Sequence, residues 1–352
     1  MANRRYLVDL EALAANYALF AAASPGRSVA GVVKADGYGV GAVPAAGRLA
    51  RAGCTSFFVA SAEEALVLRQ ALGAGPEIFA LEGPDAESAA VLAAAGITPV
   101  LNHAGQLESW RPHAAAGAAI HVDTGMSRLG FRVDVGASAF DGMHISLLMT
   151  HLACADEPGH PLNAIQLDRF ESVCRRFPGV RTSIGNSAAC LTAQSRVGDL
   201  GRPGIGLYGG NPFLDLPNPC VPVAALQGRV LQVKELNSGD SVGYGASCVL
   251  SRRTTVAVVG IGYADGVPRQ LSGCGSLFLA GSARPILGRV SMDLTVIDVT
   301  GAQHVAVGDW AECFGARLPV DGVAATAGTM AYTLLTGVGG RVPRVYRSLD
   351  AR

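Results

Sequence analysis

Lysine is almost missing from this chain. Of its 28 basic residues, two are lysine, Lys34 and Lys234, and the rest are arginine. Chemistry that needs a side-chain primary amine therefore has two candidates. Excess charge is missing as well: 28 acidic residues balance the basic ones, and the formal net charge is +0. With no basic block or stripe, a nucleic-acid partner is not expected. No uninterrupted apolar run of roughly 18 residues occurs, so no membrane span is expected. The basic opening Met1-Ala2-Asn3-Arg4-Arg5 is followed by Asp9 and Glu11, which break the apolar stretch a secretory signal needs. Cysteines stand at Cys54, Cys154, Cys174, Cys190, Cys220, Cys248, Cys274 and Cys313. None makes a Cys-x-x-Cys pair or a zinc-ligand spacing, so no metal site is expected. They read as scattered small apolar groups, and thiols without a signal segment point to the cytoplasm.

What is present is a large apolar fraction, 49% of 352 residues, delivered in short bursts. Eight bursts read as strands, over 28–34, 56–61, 78–83, 97–102, 118–125, 145–153, 181–188 and 202–209. Helical periodicity lies between most of them, over 43–52, 62–72, 86–95, 104–115 and 163–177, and several of these stretches end at glycine. Eight alternations predict an α/β fold with a (β/α)8 barrel. A doubly wound open sheet is the alternative. Four prolines between Asn211 and Pro222 read as a linker. Beyond it come predicted strands over 228–234, 254–261, 276–279, 294–299 and 310–314, and one late helix over 322–335. The expected plan is a barrel over residues 8–222 and a mostly-β domain over 223–352, joined by residues 1–7.

In such a barrel, function sits at the C-terminal ends of the strands. Lys34 ends the first. An ammonium at the edge of a core is desolvated and loses its proton more easily, which suits Schiff-base chemistry with a carbonyl cofactor. The competing reading is a lysine snorkelling from a strand end. Asp123-Thr124-Gly125-Met126-Ser127-Arg128 follows the fifth strand, His151 ends the sixth, and Asn186-Ser187 ends the seventh. Arg202-Pro203-Gly204-Ile205 opens the eighth in this reading. Ser187, Gly204 and Ile205 lie where barrels commonly hold a phosphate, using backbone N–H groups and a hydroxyl.

The string VVKADGYG around Lys34 and Tyr38 closely resembles the pyridoxal phosphate site of the alanine racemase family. RPGIGLYG at Arg202, SVGYGAS at Tyr244, GYADG at Tyr263 and GRVSMD at Met292 resemble further motifs of that family, in the same order. The resemblance runs from residue 29 to about 346. It implies that Lys34 carries the cofactor, and that Tyr38, Asn186, Ser187, Gly204 and Ile205 surround the phosphate. It implies that His151 stacks on the cofactor ring and that Arg202 faces the pyridine nitrogen. An arginine keeps its own proton, so that nitrogen would stay unprotonated and the ring would be a moderated electron sink. The second base implied is Tyr244, contributed by the other subunit of a homodimer with shared active sites. Arg128 and Met292 would take the carboxylate of a small amino-acid substrate. Tyr263, Asp293 and Gly340 would line the gate. The implied activity is interconversion of L- and D-alanine in the cytoplasm.

Two positions depart from the family pattern. Many members carry a lysine two residues before the Asp-Thr-Gly string, and its carbamate braces the substrate-binding arginine. This chain has His121 there, which leaves His121 itself, Asp123 or a bound anion to orient Arg128. Some members carry a tyrosine just before the Arg-Val-Pro string, where this chain has Gly340. A roomier gate would admit serine or another amino acid. Rival readings are another pyridoxal phosphate enzyme of the same plan, such as a decarboxylase or a dehydratase, and a non-enzymatic carrier of the cofactor. Arg202 argues against the decarboxylase and the second domain against the carrier. For a metal-dependent dehydratase, the one histidine beyond the linker, His304, lacks a cysteine at ligand spacing.

Overall fold

The computed structural model describes residues 3–192 and 197–347. The chain forms two compact units, one of residues 13–221 and one joining residues 1–12 to 222–352. It passes between them twice, the first time inside the helix Leu10–Ala22.

The larger unit is a ring of short parallel strands. Gly31–Val32, Ser56–Val59, Glu77–Ala80, Thr98–Leu101, Ala118–His121, Ile145–Met149 and Thr182–Ser183 pair in sequence order. Leu200–Gly201 pairs with Ser28–Val29. The first strand therefore bonds on both edges. Ala30 N–H donates to Gly201 O at 2.8 Å, and Val33 N–H to Phe58 O at 2.9 Å. Between the seventh and eighth strands, Asp199 N–H donates to Thr182 O at 2.8 Å and Arg202 N–H to Gly185 O at 2.7 Å. The ring closes, which makes this a barrel and not an open sheet. Strands covered on both faces read as continuous apolar bursts. Every residue of Ser56–Val59 and Ala118–His121 is buried. The polar exception Ser56 is satisfied by donating to Glu77 at 2.6 Å.

The eighth strand lies two residues ahead of its predicted place. It is Leu200–Gly201, and Ile205–Tyr208 is a 3-10 turn. Buried Ile205, Leu207 and Tyr208 give that turn the apolar content of a strand. The correction matters for the site. Arg202 follows the eighth strand instead of opening it, and so lies at the C-terminal end with Lys34 and His151.

Outer helices cover Ala42–Arg51, Ala62–Leu72, Ala89–Ala94, Ala104–Trp110 and Pro161–Cys174. The predicted 104–115 helix finishes as a 3-10 segment, Arg111–Ala116, with Pro112 at its start. The helices Leu10–Ala22 and Ser187–Thr192 were not expected. Among the described residues no α-helix lies between the fifth and sixth strands, where a 3-10 turn, Ala137–Phe140, stands instead.

The smaller unit centres on the long strand Ala224–Leu236, which pairs antiparallel with Arg4–Val8, Thr254–Val259 and Trp310–Phe314. Arg4–Val8 also pairs in parallel with Arg344–Tyr346. The N-terminal residues expected to join this domain do so through Arg4–Val8, which is an interior strand of its sheet. Ser276–Leu279 forms a hairpin with Ser282–Pro285. The single late helix expected over 322–335 is two helices, Val320–Thr326 and Ala331–Thr336. Gly328, at φ 65°, breaks the run between them.

Candidate active site

Lys34 begins a five-residue turn of unusual hand. Ala35, Asp36, Gly37, Tyr38 and Gly39 have φ of 52°, 52°, 62°, 53° and 84°. Left-handed backbone costs about 1–2 kcal/mol at each residue that has a β-carbon, so Ala35, Asp36 and Tyr38 store strain of the kind found at functional sites. The turn is held from several directions. Gly37 N–H donates to Val33 O at 2.8 Å and Gly41 N–H to Asp36 O at 2.8 Å. The Asp36 carboxylate accepts from Ala42 N–H at 2.9 Å, and the Glu64 carboxylate from Ala35 N–H at 2.7 Å. Burial first, then the Arg128 charge, hold the Lys34 ammonium below its ordinary range, against the opposing pull of Glu64 and Glu82.

The same turn delivers Tyr38 to the end of the seventh and eighth strands. Its ring stacks on Tyr208 with centroids 4.5 Å apart, and Tyr208 donates to Val32 O at 2.9 Å. A β-carbon at Gly204 would collide with the Tyr38 hydroxyl. Beside it, buried Ser187 Oγ accepts from Gly204 N–H at 2.9 Å and Gly206 N–H at 3.3 Å. Both N–H groups thus converge on one oxygen, and the Ser187 hydroxyl keeps its own proton to donate. The Tyr38 and Ser187 hydroxyls, with Ser187 oriented by two glycine N–H groups at a side-chain-free position, make a donor site that fits a phosphate. Asn186 plays a different part: its side-chain oxygen caps the helix Ser187–Thr192 by accepting from Ala189 N–H at 3.1 Å.

Arg202 is buried, and among the described residues it has no carboxylate partner. Its guanidinium donates to Thr150 O at 2.7 Å, to Ser183 Oγ, and at 3.4 Å to Ile184 O and to His151 Nδ1. It lies 5.8 Å from the centre of the Phe58 ring. Burial lowers it to about 10, still a cation at neutral pH. An arginine can only donate, so His151 Nδ1 accepts and the ring proton sits on Nε2. Burial, then Arg202 and the other nearby cations, keep His151 far below its ordinary value and neutral. His121 has the opposite tautomer. Asn102 spends its amide N–H groups on Leu81 O and Val100 O, at 3.1 and 2.9 Å. Its oxygen is left to accept from His121 Nδ1 at 2.9 Å, so His121 Nε2 carries a lone pair. Burial, then Arg202, hold His121 down to about 4.

Arg128 leaves its backbone to others. Asp123 Oδ1 accepts from Gly125, Met126 and Ser127 N–H at 2.9, 2.9 and 3.0 Å, folding the loop into a tight turn. Burial pushes the Asp123 carboxyl up, but these donors outweigh it and hold it below the usual carboxylate range. Gln166 and Arg169, on the helix Pro161–Cys174, clamp the same loop through Thr124 Oγ1 at 3.2 Å and Thr124 O at 2.9 Å. The exposed Arg128 guanidinium itself makes no hydrogen bond or ion pair among the described residues, and so remains available to an anion.

The candidates in the smaller unit gather at one place in it. Tyr263 N–H and Ala264 N–H donate to Ser291 O and Met292 O, both at 3.0 Å. Arg341 bridges Asp265 at 2.7 Å and Asp293 at 2.6 Å, and Arg4 meets the same buried Asp265 at 2.6 Å. Gly243 and Gly245, on either side of Tyr244, lie against Arg289. Four stretches distant in sequence, at Tyr244, Tyr263, Met292 and Gly340, are thereby brought together. Tyr244 and Met292 are exposed, at 71% and 52%. A β-carbon at Gly340 would have nothing within 4 Å. Sequence reasoning missed Glu64, Asn102, Gln166, Asp265 and Arg341, which hold the others. All eight cysteines are free, and among the described residues no cluster could ligate a metal. No described helix is long and apolar enough to cross a membrane.

Comparison with known proteins agrees with this geometry. Residues 8–212 match the family model for the N-terminal domain of alanine racemase, and residues 223–346 that for its C-terminal domain. An alanine racemase of Rhodospirillum rubrum is 42% identical over 353 residues, covering 96% of this chain and 94% of that protein. Agrobacterium fabrum has a catabolic alanine racemase at 40% identity, covering 98% of this chain and 92% of its own length. A crystal structure of alanine racemase from Bartonella henselae, with covalently bound pyridoxal phosphate, superimposes with a TM-score of 0.93 at 34% identity, covering 99% of this chain and all of that one.

Proposed function

We propose, on the premise that this chain belongs to the alanine racemase family, that it is a pyridoxal phosphate-dependent isomerase that interconverts L- and D-alanine. The observation that carries the reading is the barrel rim itself. One strained turn presents the amine of Lys34 and the hydroxyl of Tyr38, and Tyr38 lies against the Ser187–Gly204 cradle.

Lys34 is the nucleophile that would hold the cofactor's carbonyl carbon, and a depressed ammonium supplies the free amine this requires. Tyr38, Ser187, Gly204 and Ile205 would hold the phosphate, Asn186 bracing them from the cap of the next helix. When bound, the cofactor withdraws electrons from the substrate's α-carbon and makes its hydrogen acidic. Arg202 would donate to the pyridine nitrogen without surrendering a proton. Neutral His151 accepts from Arg202 and lets the two groups pack without a second buried charge. Arg128, with Met292, would take the substrate carboxylate. Lys34 Nζ moves the α-proton on one face, and Tyr244 of the partner subunit moves it on the other. The exposure of Tyr244 supports a homodimer, because a base left in water is poorly tuned until something covers it. Neutral net charge and thiols without disulfides favour a cytoplasmic enzyme with no nucleic-acid or membrane partner.

A second substrate is favoured by one observation. Gly340 is exposed and has no side chain, so a gate lined by it would admit serine beside alanine. The deciding experiment follows the loss of optical activity of L-alanine, L-serine and larger amino acids, with and without added pyridoxal phosphate. Cofactor-dependent loss with L-alanine is expected. Amino-acid consumption with release of carbon dioxide or ammonia would overturn the reading in favour of another enzyme of this plan.

A further inference from the structure

We propose that Glu64 is a positioning residue for the reaction: one carboxylate ties the ends of the first two barrel strands together and so places Lys34 and Tyr38. The proposal rests on the reading of Lys34 given above.

The two oxygens are used separately. Oε1 accepts from Ala35 N–H at 2.7 Å, and Oε2 from Ala60 N–H at 2.8 Å. Ala35 is the first left-handed residue after Lys34, and Ala60 follows the strand Ser56–Val59. Left-handed alanine reverts to ordinary backbone unless its surroundings forbid it. The Glu64 bridge supplies that constraint at the residue next to Lys34. Glu64 is itself well anchored as the third residue of the helix Ala62–Leu72, its N–H donating to the cap residue Ser61 at 3.3 Å. A glutamate in a first helical turn ordinarily faces the helix dipole and water. This one turns back to the strand ends.

The position has an electrostatic side. The charged groups facing Lys34 are Glu64 on its helix, Glu82 after the third strand, Arg128 after the fifth, and His151, neutral, at the end of the sixth. Glu64 and Glu82 are the two that favour the ammonium. Glu64 alone both bonds the turn and opposes its cations. It can therefore set where the amine lies and how readily it gives up a proton.

The scarcity of lysine makes a direct test possible. Full-length protein labelled at the lysine side-chain nitrogen should show two Nζ signals, from Lys34 and Lys234. They are titrated before pyridoxal phosphate is added, and exchange of the Ala35 and Ala60 amides is measured alongside. In Glu64→Gln the Lys34 signal should titrate at lower pH while Lys234 stays in place. One of the two bridged amides, Ala35 or Ala60, should exchange several-fold faster, because a carboxamide has one acceptor oxygen where the carboxylate has two. After loading with cofactor, kcat should fall by about tenfold or more with KM nearly unchanged, since small misplacements cost up to about 10²-fold. Glu82→Gln removes charge alone and should move the titration without touching Ala35 exchange. A folded Glu64→Gln protein with an unmoved Lys34 titration, or with unmoved exchange at both Ala35 and Ala60, overturns the proposal. Should that variant not fold, Glu64→Asp keeps the charge but is too short to span both amides. It should lose Ala35 protection and kcat together, and retention of both overturns the proposal. Failure of the Lys34 reading is seen separately, as cofactor absorbance and racemisation that survive in Lys34→Ala.

Discussion

The barrel rim and the Tyr244 region are finished to different degrees. On the rim, Lys34 is half-buried, Arg202 and Ser187 are buried, and the loop of Arg128 is fastened by Asp123 and Gln166. In the smaller unit, the glycine-flanked Tyr244 stands out in solvent, with Gly243 and Gly245 at φ of 77° and 72°. The difference teaches which chemistry one chain completes alone. Making an ammonium readier to lose its proton and keeping an arginine desolvated both need burial, and the barrel provides it. A tyrosine starts from a value of about 10, and needs nearby cations and a dry setting to act as a base. Here, among the described residues, its own unit supplies neither a cover nor a close hydrogen bond to the hydroxyl.

The comparison breaks most sharply at the two lysines. Lys34→Ala should abolish racemisation and the absorbance of the lysine-bound cofactor, whereas Lys234→Ala, on an exposed strand position, should leave both intact. Equal loss in the two proteins, by spectrum and turnover, would sink the assignment. Next in size is Tyr244→Phe. Loss of a general acid–base group lowers kcat by about 10²–10⁴-fold, while an exposed substitution should keep stability within about 0.5 kcal/mol. Mixing this variant with Lys34→Ala under subunit exchange should restore activity, since one heterodimer site would have both bases. No recovery after verified exchange would mean that Tyr244 does not serve a second copy.

A third test uses pH. His121 is held down to about 4 from an ordinary 6.5, and His151 is depressed as well. Groups depressed by folding take fewer protons in the native state than in the unfolded chain. Stability is therefore full above about pH 6.5 and falls as pH drops toward 4, by up to about 1.4 kcal/mol per pH unit for each histidine. Urea midpoints between pH 7 and 4.5 would show the slope, and His121→Asn should flatten it. An unchanged slope would show that His121 titrates normally. The smallest effect is expected at Gly340. Its φ is ordinary and its surroundings open, so Gly340→Tyr should fold. If this position is the gate, the serine-to-alanine ratio of kcat/KM should fall by about 1–3 kcal/mol in free-energy terms. A folded variant with the same ratio would remove Gly340 from the specificity argument.

What could be read from the sequence was what local pattern dictates. Eight apolar bursts and glycine-ended helices gave the barrel, because strands covered on both faces need no alternation. Lys34 and His151 were legible as polar residues at burst ends, and Arg202 from its motif although its strand was misplaced. The eighth strand was misplaced because Ile205, Leu207 and Tyr208 are buried in a 3-10 turn, and apolar content alone does not separate a turn from a strand. Arg4–Val8 was not recognised as a strand because its two neighbours lie at the far end of the sequence. Glu64 and Asn102 were illegible for the same physical reason. Their work is to join one strand end to the next, and residue type does not announce the partner. The question of what orients Arg128 resolves partly toward Asp123, which fixes the loop, while no hydrogen bond from His121 reaches the guanidinium.

The interior place of Arg4–Val8 has a consequence for the order of events at the ribosome. This strand leaves the exit tunnel well ahead of its antiparallel neighbour Ala224–Leu236, which is synthesised roughly 200 residues later. At about 5–20 residues per second, that is a wait of about 10–40 s. During it, the whole of residues 13–221 becomes available to close its ring, while Tyr6, Leu7 and Val8, buried in the finished protein, have no sheet to join. A segment made before the larger unit is placed only after it, and the nascent chain carries an exposed apolar strand while the whole of that unit is made.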